Sequence, residues 1–112
     1  MRVGRRVFEI SSADTRAAES FASALPVTLV MADLKGREKF ANLDRLLITD
    51  ATKHDVIECG AVMLYGANTI VVFYKELTST NRYTRIGRIV DTTALAEALG
   101  NDRVEVEFLE RD

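Results

Sequence analysis

The stretch Gly60-Ala61-Val62-Met63-Leu64-Tyr65-Gly66-Ala67-Asn68-Thr69-Ile70-Val71-Val72-Phe73-Tyr74-Lys75 decides the fold class of this sequence. Glycine and asparagine both tolerate positive φ, so Gly66-Ala67-Asn68 predicts a turn between two β-rich runs. The run after the turn is apolar at consecutive positions, which predicts a central strand covered on both faces. The stretch therefore predicts two neighbouring strands of a sheet.

The chain after this stretch continues the β pattern, with one helix. A period-two strand is predicted over 83–90, with one face formed by Tyr83, Arg85, Gly87 and Ile89. Asp91-Thr92-Thr93 predicts the start of a short helix that runs through Leu99, with Gly100 as the residue that ends it. Apolar and charged residues alternate over 103–109, which predicts a half-exposed last strand.

The chain before this stretch adds one strand, one helix and a hairpin. A first strand is predicted over Val3–Ile10. A helix follows, because apolar residues recur with helical spacing at Ala18, Phe21, Ala22 and Leu25. Ser12, Ala13 and Asp14 are the candidate caps, with Asp14 the best acceptor, and Pro26 ends the helix. A strand over 27–31 pairs with 37–40 across a turn at 33–36.

The 41–59 segment has no clean periodicity and predicts a long irregular connection with some buried anchors. Helices do not alternate with strands, which disfavours a doubly wound parallel sheet. The pattern predicts an α+β fold, mainly β, in a single domain over 1–112 with a solvated tail at 110–112.

Composition excludes several classes of function. The chain has 15 basic and 17 acidic residues for a net charge of −2, so no general attraction to nucleic acid or to a membrane is expected. The early arginines exclude a signal peptide, and a cytoplasmic location is expected. Cys59 is the only cysteine in the sequence, and it lies at no useful spacing from His54. No metal and no cofactor are therefore predicted.

Four segments in order carry a resemblance that covers nearly the whole chain: Leu25-Pro26-Val27-Thr28-Leu29, Gly36-Arg37-Glu38-Lys39-Phe40, the stretch from Gly60 to Tyr74, and Tyr83-Thr84-Arg85-Ile86-Gly87-Arg88-Ile89. Their order and spacing resemble the small bacterial and archaeal cyclophilin-like families of unknown function. The resemblance implies a closed antiparallel cyclophilin-like β-barrel with two short helices. It also implies a groove on the barrel surface.

The sequence departs from true cyclophilins at the residues of the isomerase site. Those proteins carry a Phe-His-Arg segment and a Phe-Met-x-Gln-Gly segment, and neither occurs here. Arg37-Glu38-Lys39-Phe40 takes the place of the arginine-bearing strand, and a glutamate does not serve the arginine's role. No catalytic residue is carried over from the family.

The candidate ligand-binding residues are Glu38, Tyr65, Phe73, Tyr83 and Arg85. Each has a structural alternative. Arg85 and Gly87 are read either as a groove arginine beside an accessible backbone, or as a rim ion pair beside a bulge glycine. The aromatic residues are read as groove or as packing, and Phe73 and Tyr74 must face opposite sides.

Three hypotheses of function follow. The first is a domain that binds a small molecule or peptide in a surface groove without the standard isomerase residues. The second is a divergent prolyl isomerase, and whether the protein is an enzyme stays open. The third is a self-associating module, such as a homodimer, that pairs through an exposed first or last strand.

Overall fold

A computed structural model describes residues 1–110 of the chain. Within these residues the elements follow in the order β1 (Arg2–Val3), β2 (Arg6–Val7), β3 (Ile10–Ser12), α1 (Arg16–Ala22), β4 (Val27–Leu34), β5 (Glu38–Asn42), β6 (Thr52–Lys53), β7 (Ala61–Tyr65), β8 (Thr69–Phe73), β9 (Arg82–Ile89), α2 (Leu95–Leu99) and β10 (Val104–Phe108). The last two residues of the predicted tail, 111 and 112, lie outside the described part.

The strands form one curled antiparallel sheet in the order β2-β1-β10-β4-β5-β8-β7-β9-β3, with β6 added beside β9. This confirms the mainly β, antiparallel prediction with two helices. The closed barrel is not confirmed, because β2 and β3 end the path and do not pair with each other. The sheet is a half-barrel with an open seam. The prediction that the last strand is an exposed edge is wrong, since β10 pairs with both β1 and β4.

The predicted strand over Val3–Ile10 is three short strands. Gly4 has a φ of 60°, a conformation that favours glycine, and it reverses the chain so that β1 pairs with β2. The chain then crosses to the far end of the sheet, where β3 pairs with β9. Alternation alone did not show this reversal, because the residues on each side of Gly4 are equally compatible with one strand.

The central hairpin of β7 and β8 matches the prediction and separates two apolar clusters. The inner cluster occupies the concave side of the half-barrel, and the hairpin residues that face it are Val62, Leu64, Ile70 and Val72. The alternate residues of the hairpin face an outer cluster on the other side of the sheet. This outer cluster consists of Ile57, Ala61, Met63, Val71, Phe73 and Tyr83. Tyr74 packs in the inner cluster, so Phe73 and Tyr74 face opposite sides as predicted.

A β-bulge corrects the face assignment of β9. Val62 pairs with Gly87 and Met63 with Arg85, which leaves Ile86 as the extra residue. Ile89 consequently packs in the inner cluster, whereas Tyr83 packs in the outer one. The backbone of β3 passes over Gly87, where an added Cβ would lie 2.5 Å from the carbonyl oxygen of Ser11. The close neighbour of this glycine is therefore a strand of the same chain.

Both helices are shorter than predicted, and neither is long and apolar enough to cross a membrane. The cap of α1 is Thr15, whose Oγ1 accepts a hydrogen bond from the Ala18 backbone at 3.1 Å, so the preference for Asp14 was wrong. Helix α2 begins after Ala94, because Asp91 and Thr93 instead form a turn. Gly100, with a φ of 66°, ends α2 as predicted.

The 41–59 segment is irregular with buried anchors, as predicted. Leu43 and Leu47 are its anchors in the inner cluster, and Leu46 and Ile48 are exposed. Its second half holds β6 and a bridge between Ile57 and Leu77. This bridge brings the segment over the outer face of the sheet, where Ile57 is fully buried. The segment thereby covers part of the face on which most of the candidate site residues lie.

Candidate functional site

The outer face of the sheet carries a depression of about 180 Å³ beside the outer cluster. Strands β4, β5, β7, β8 and β9 each contribute to its wall, and the residue before β9 completes it. Its lining residues are Leu34, Glu38, Phe40, Tyr65, Thr69, Val71, Asn81 and Tyr83. The depression thus brings together three of the five predicted site residues, Glu38, Tyr65 and Tyr83, which are distant in the sequence.

Glu38 is the acidic residue of the depression, and only 5% of its surface is exposed. It lies at the start of β5, opposite Leu34 on one side and Phe73 on the other. Among residues 1–110 its carboxylate has no hydrogen bond and no ion pair. Burial raises the pKa of Glu38, and the positive charge of Arg37 opposes that shift.

The Glu38 carboxylate is still open to the depression. In the described part of the chain, Arg37 Nε is the side-chain nitrogen or oxygen that is both sealed from solvent and without a partner. The unpartnered oxygens of Glu38 are therefore not sealed, although the residue as a whole is buried. A buried carboxylate that lacks a partner is unfavourable unless something else supplies the hydrogen bond.

Aromatic rings form the opposite wall. The Tyr65 and Tyr83 rings are 5.7 Å apart at a tilt of 54°, with Tyr65 48% exposed and Tyr83 buried. Phe73 is fully buried behind Tyr83, with the ring centroids 5.4 Å apart and the rings edge to face. Phe73 supports the wall and does not line the depression. One half-exposed ring and one buried ring therefore line the same space as Glu38.

Arg85 lies beside the depression, not in its lining. Its guanidinium donates to both Glu58 oxygens, at 2.6 and 3.1 Å, in a bidentate pair. This hydrogen bonding lowers the pKa of Glu58. The arginine is thus held by the 41–59 segment, which is the rim ion pair that the sequence left as its structural alternative.

Lys39 forms a second buried polar group that the sequence did not reveal. The residue follows Glu38, faces the inner side of β5 and is fully buried. Its Nζ lies 3.1 Å from Asp33 Oδ1, donates to the Asp102 carbonyl and is 5.7 Å from the Tyr74 ring centroid. The Tyr74 hydroxyl also donates to Asp33, which lowers the pKa of that carboxyl. Every member of this Lys39–Asp33–Tyr74 network has a partner.

A larger hollow of about 590 Å³ lies where the sheet is open. Side chains from α1, from the first strands and from the end of β10 line it, including Val7, Phe21, Leu25, Ile86 and Phe108. Its walls are mostly apolar. Across residues 1–110, no group of three or more His, Cys, Asp or Glu residues is placed to hold a metal ion.

The other lining residues of the depression were missed from the sequence. Phe40, Thr69 and Val71 face the same side as Glu38, because Phe40 pairs with Val71 and Asn42 with Thr69. The register of β5 against β8 would have identified them, but a single sequence does not give that register. His54 and Cys59 have different surroundings. His54 Nε2 lies 3.2 Å from the Tyr83 carbonyl oxygen, whereas Cys59 packs on the inner cluster.

The domain is a curled antiparallel sheet with a helix near each end of the chain and a shallow depression on its outer face. The model of the cyclophilin-like family matches residues 1–109, so the chain belongs to that family. The resemblance stated from the sequence is thereby confirmed. No curated protein and no solved structure matches the chain.

Proposed function

We propose that this domain binds a small ligand or a short peptide segment in the depression around Glu38, Tyr65 and Tyr83, without the residues of a prolyl isomerase. The observation that supports the proposal is the buried Glu38 carboxylate, which has no partner in residues 1–110 and opens into an aromatic-walled space. Sites for small ligands are concave and mostly apolar, with a few polar groups that fix the ligand's orientation. The depression has this composition.

Prolyl isomerisation is less well supported by the geometry. The arginine on this face, Arg85, already donates to Glu58 through two nitrogens and does not line the depression. A proline-peptide assay measures this directly, because the uncatalysed barrier of about 18–20 kcal/mol makes even weak catalysis visible. We expect no rate above the uncatalysed background, and a clear acceleration would assign the domain to the isomerases.

Self-association through a sheet edge is also less well supported. The last strand is internal, and the terminal strand β2 has only two residues. Its Arg6 already contacts Glu97 at 2.9 Å and the Ala94 carbonyl at 3.4 Å. A homodimer would show in light scattering as a mass that increases with protein concentration.

A fragment titration followed by amide NMR tests the binding proposal. Fragments of few heavy atoms and a proline-containing tetrapeptide would be added to uniformly ¹⁵N-labelled protein. We expect shifts that cluster at the lining residues of the depression and that disappear in Tyr65→Ala. Val7→Ala, in the larger hollow, is the matched control. Shifts that disappear in Val7→Ala but persist in Tyr65→Ala would place the binding site in the larger hollow and refute the proposal.

A further inference from the structure

We infer that the depression selects a compact organic cation, an alkylammonium group, with Glu38 as its counter-ion; the inference rests on the proposed function and names the ligand class. Glu38 as a residue is only 5% exposed, and it lines the depression. An ionised carboxylate can only accept hydrogen bonds, so the missing partner must be a donor. A cation satisfies both the charge and the hydrogen-bonding capacity of Glu38.

No group among residues 1–110 already fills this role. Arg37 and Lys35 are close enough to lower the pKa of Glu38 through their charge, yet neither makes an ion pair with it in the described residues. Lys39, the next residue, faces the other side of β5 and binds Asp33. An ionised Glu38 therefore has no cationic partner among residues 1–110, and a bound cation would supply one.

The rest of the wall also suits a cation. The Tyr65 and Tyr83 rings line the depression, and aromatic rings attract ammonium groups that are removed from water. Thr69 donates its hydroxyl hydrogen to Asn42 Oδ1 at 2.8 Å, which leaves its oxygen as an acceptor toward a ligand. An anion would meet the Glu38 carboxylate and the same aromatic rings, so the wall disfavours it.

Size restricts the cation to a small group. Liquid water occupies about 30 Å³ per molecule, so the space holds roughly six groups of that size. This matches a short alkylammonium, supplied either by a free amine or by the end of a lysine side chain. Tyr65, which is 48% exposed, forms the open side through which the rest of a larger ligand would leave.

The test compares three probes of equal length by amide NMR titration at neutral pH: n-butylammonium, 1-butanol and butyrate. We expect n-butylammonium to bind at the lining residues about tenfold or more tightly than 1-butanol, and butyrate not to bind. Raising the salt from about 0.02 M to about 0.5 M should weaken only the cation. Nα-acetyl-lysine amide distinguishes the two sources of the ammonium group. Tighter binding than n-butylammonium identifies a lysine side chain, and weaker binding identifies a free amine.

Glu38→Gln should remove the preference for the cation over the alcohol, and Glu76→Gln, an exposed carboxylate, should retain it. Glu38→Asp keeps the charge on a shorter side chain and should retain part of the preference for the cation. This variant provides the test if Glu38→Gln does not fold. Equal affinity of the cation and the alcohol in the depression would overturn the cation inference and leave the binding proposal intact. Absence of all three probes from the depression would overturn the cation inference, and the binding proposal would fail with it only if the fragments and the tetrapeptide also left the lining residues unshifted.

Discussion

Two neighbouring buried charged residues of strand β5 face opposite sides of the sheet, and only one of them has a partner within the described part of the chain. On the inner face Lys39 is fully buried, and Asp33, Tyr74 and the Asp102 carbonyl satisfy it. On the outer face Glu38 is almost as buried and has no partner in residues 1–110. Burial is therefore not what distinguishes them. A satisfied buried charge indicates a structural role, whereas an unsatisfied one that opens into a depression indicates a site for a ligand.

Removal of the inner charge should have the largest effect. Lys39→Met keeps much of the side-chain length but leaves Asp33 without its cation, and removing one partner of a buried pair costs about 3 kcal/mol or more. We expect the free energy of unfolding in urea to fall by about 3 kcal/mol. Lys53→Met, on an exposed strand, is the matched control and should change it by less than about 0.5 kcal/mol. Equal small losses in both variants would contradict a structural role for the inner network.

Loss of the Tyr74 hydroxyl should have an intermediate effect that depends on pH. Tyr74→Phe removes a hydrogen bond to an ionised carboxylate, which is worth about 2 kcal/mol. That bond is the main cause of the lowered pKa of Asp33. A lowered carboxyl pKa contributes stability above the unfolded pKa of about 4, and this contribution is lost as the pH falls through the folded value.

Urea unfolding of wild type and Tyr74→Phe over the acid range measures this dependence. The difference between the two proteins should be largest near neutral pH and should decrease in acid. Tyr65→Phe is the control, because its exposed hydroxyl has no hydrogen-bond partner in the described structure. A difference that stays constant down to the acid transition would show that Asp33 is not the group that Tyr74 stabilises.

Neutralisation of the outer charge should have the smallest effect, and of opposite sign. Burial raises the pKa of Glu38, so its ionisation opposes folding as the pH rises through the folded value. Glu38→Gln should therefore increase the free energy of unfolding by about 1 kcal/mol at neutral pH. The gain should disappear below the unfolded pKa, where both side chains are neutral. Thermal unfolding of both proteins at neutral pH and below the unfolded pKa measures this difference in stability. A loss of stability of Glu38→Gln at neutral pH would indicate a structural role for Glu38.

Local signals predicted the elements that depend on neighbours in the sequence. The turn at Gly66-Ala67-Asn68, the flanking strands and the glycine at position 100 were all found because propensity and period act over a few residues. The split of the first strand at Gly4 and the bulge at Ile86 were missed. Both depend on which strand lies alongside, a property that a single sequence does not contain.

The candidate site was predicted in part for the same reason. Glu38, Tyr65 and Tyr83 were selected and line one depression, whereas Phe73 lies behind it and Arg85 beside it. Strand alternation gives the face of a residue but not its depth, which here depends on the 41–59 segment above the sheet. The network of Lys39, Asp33 and Tyr74 was invisible because Lys39 reads as an exposed hairpin residue until its strand is placed inside the sheet.

The open seam of the sheet has a consequence for how the protein is held together. Strands β2 and β3 end the sheet, yet only residues 8 and 9 separate them along the chain. Three residue steps span at most about 10 Å, so the two terminal strands are kept near each other by covalent bonds in place of a hydrogen-bonded ladder. The same two residues also bridge the seam with hydrogen bonds, because the Phe8 backbone bonds to Met1 on one side and the Val90 N–H donates to the Glu9 carbonyl on the other.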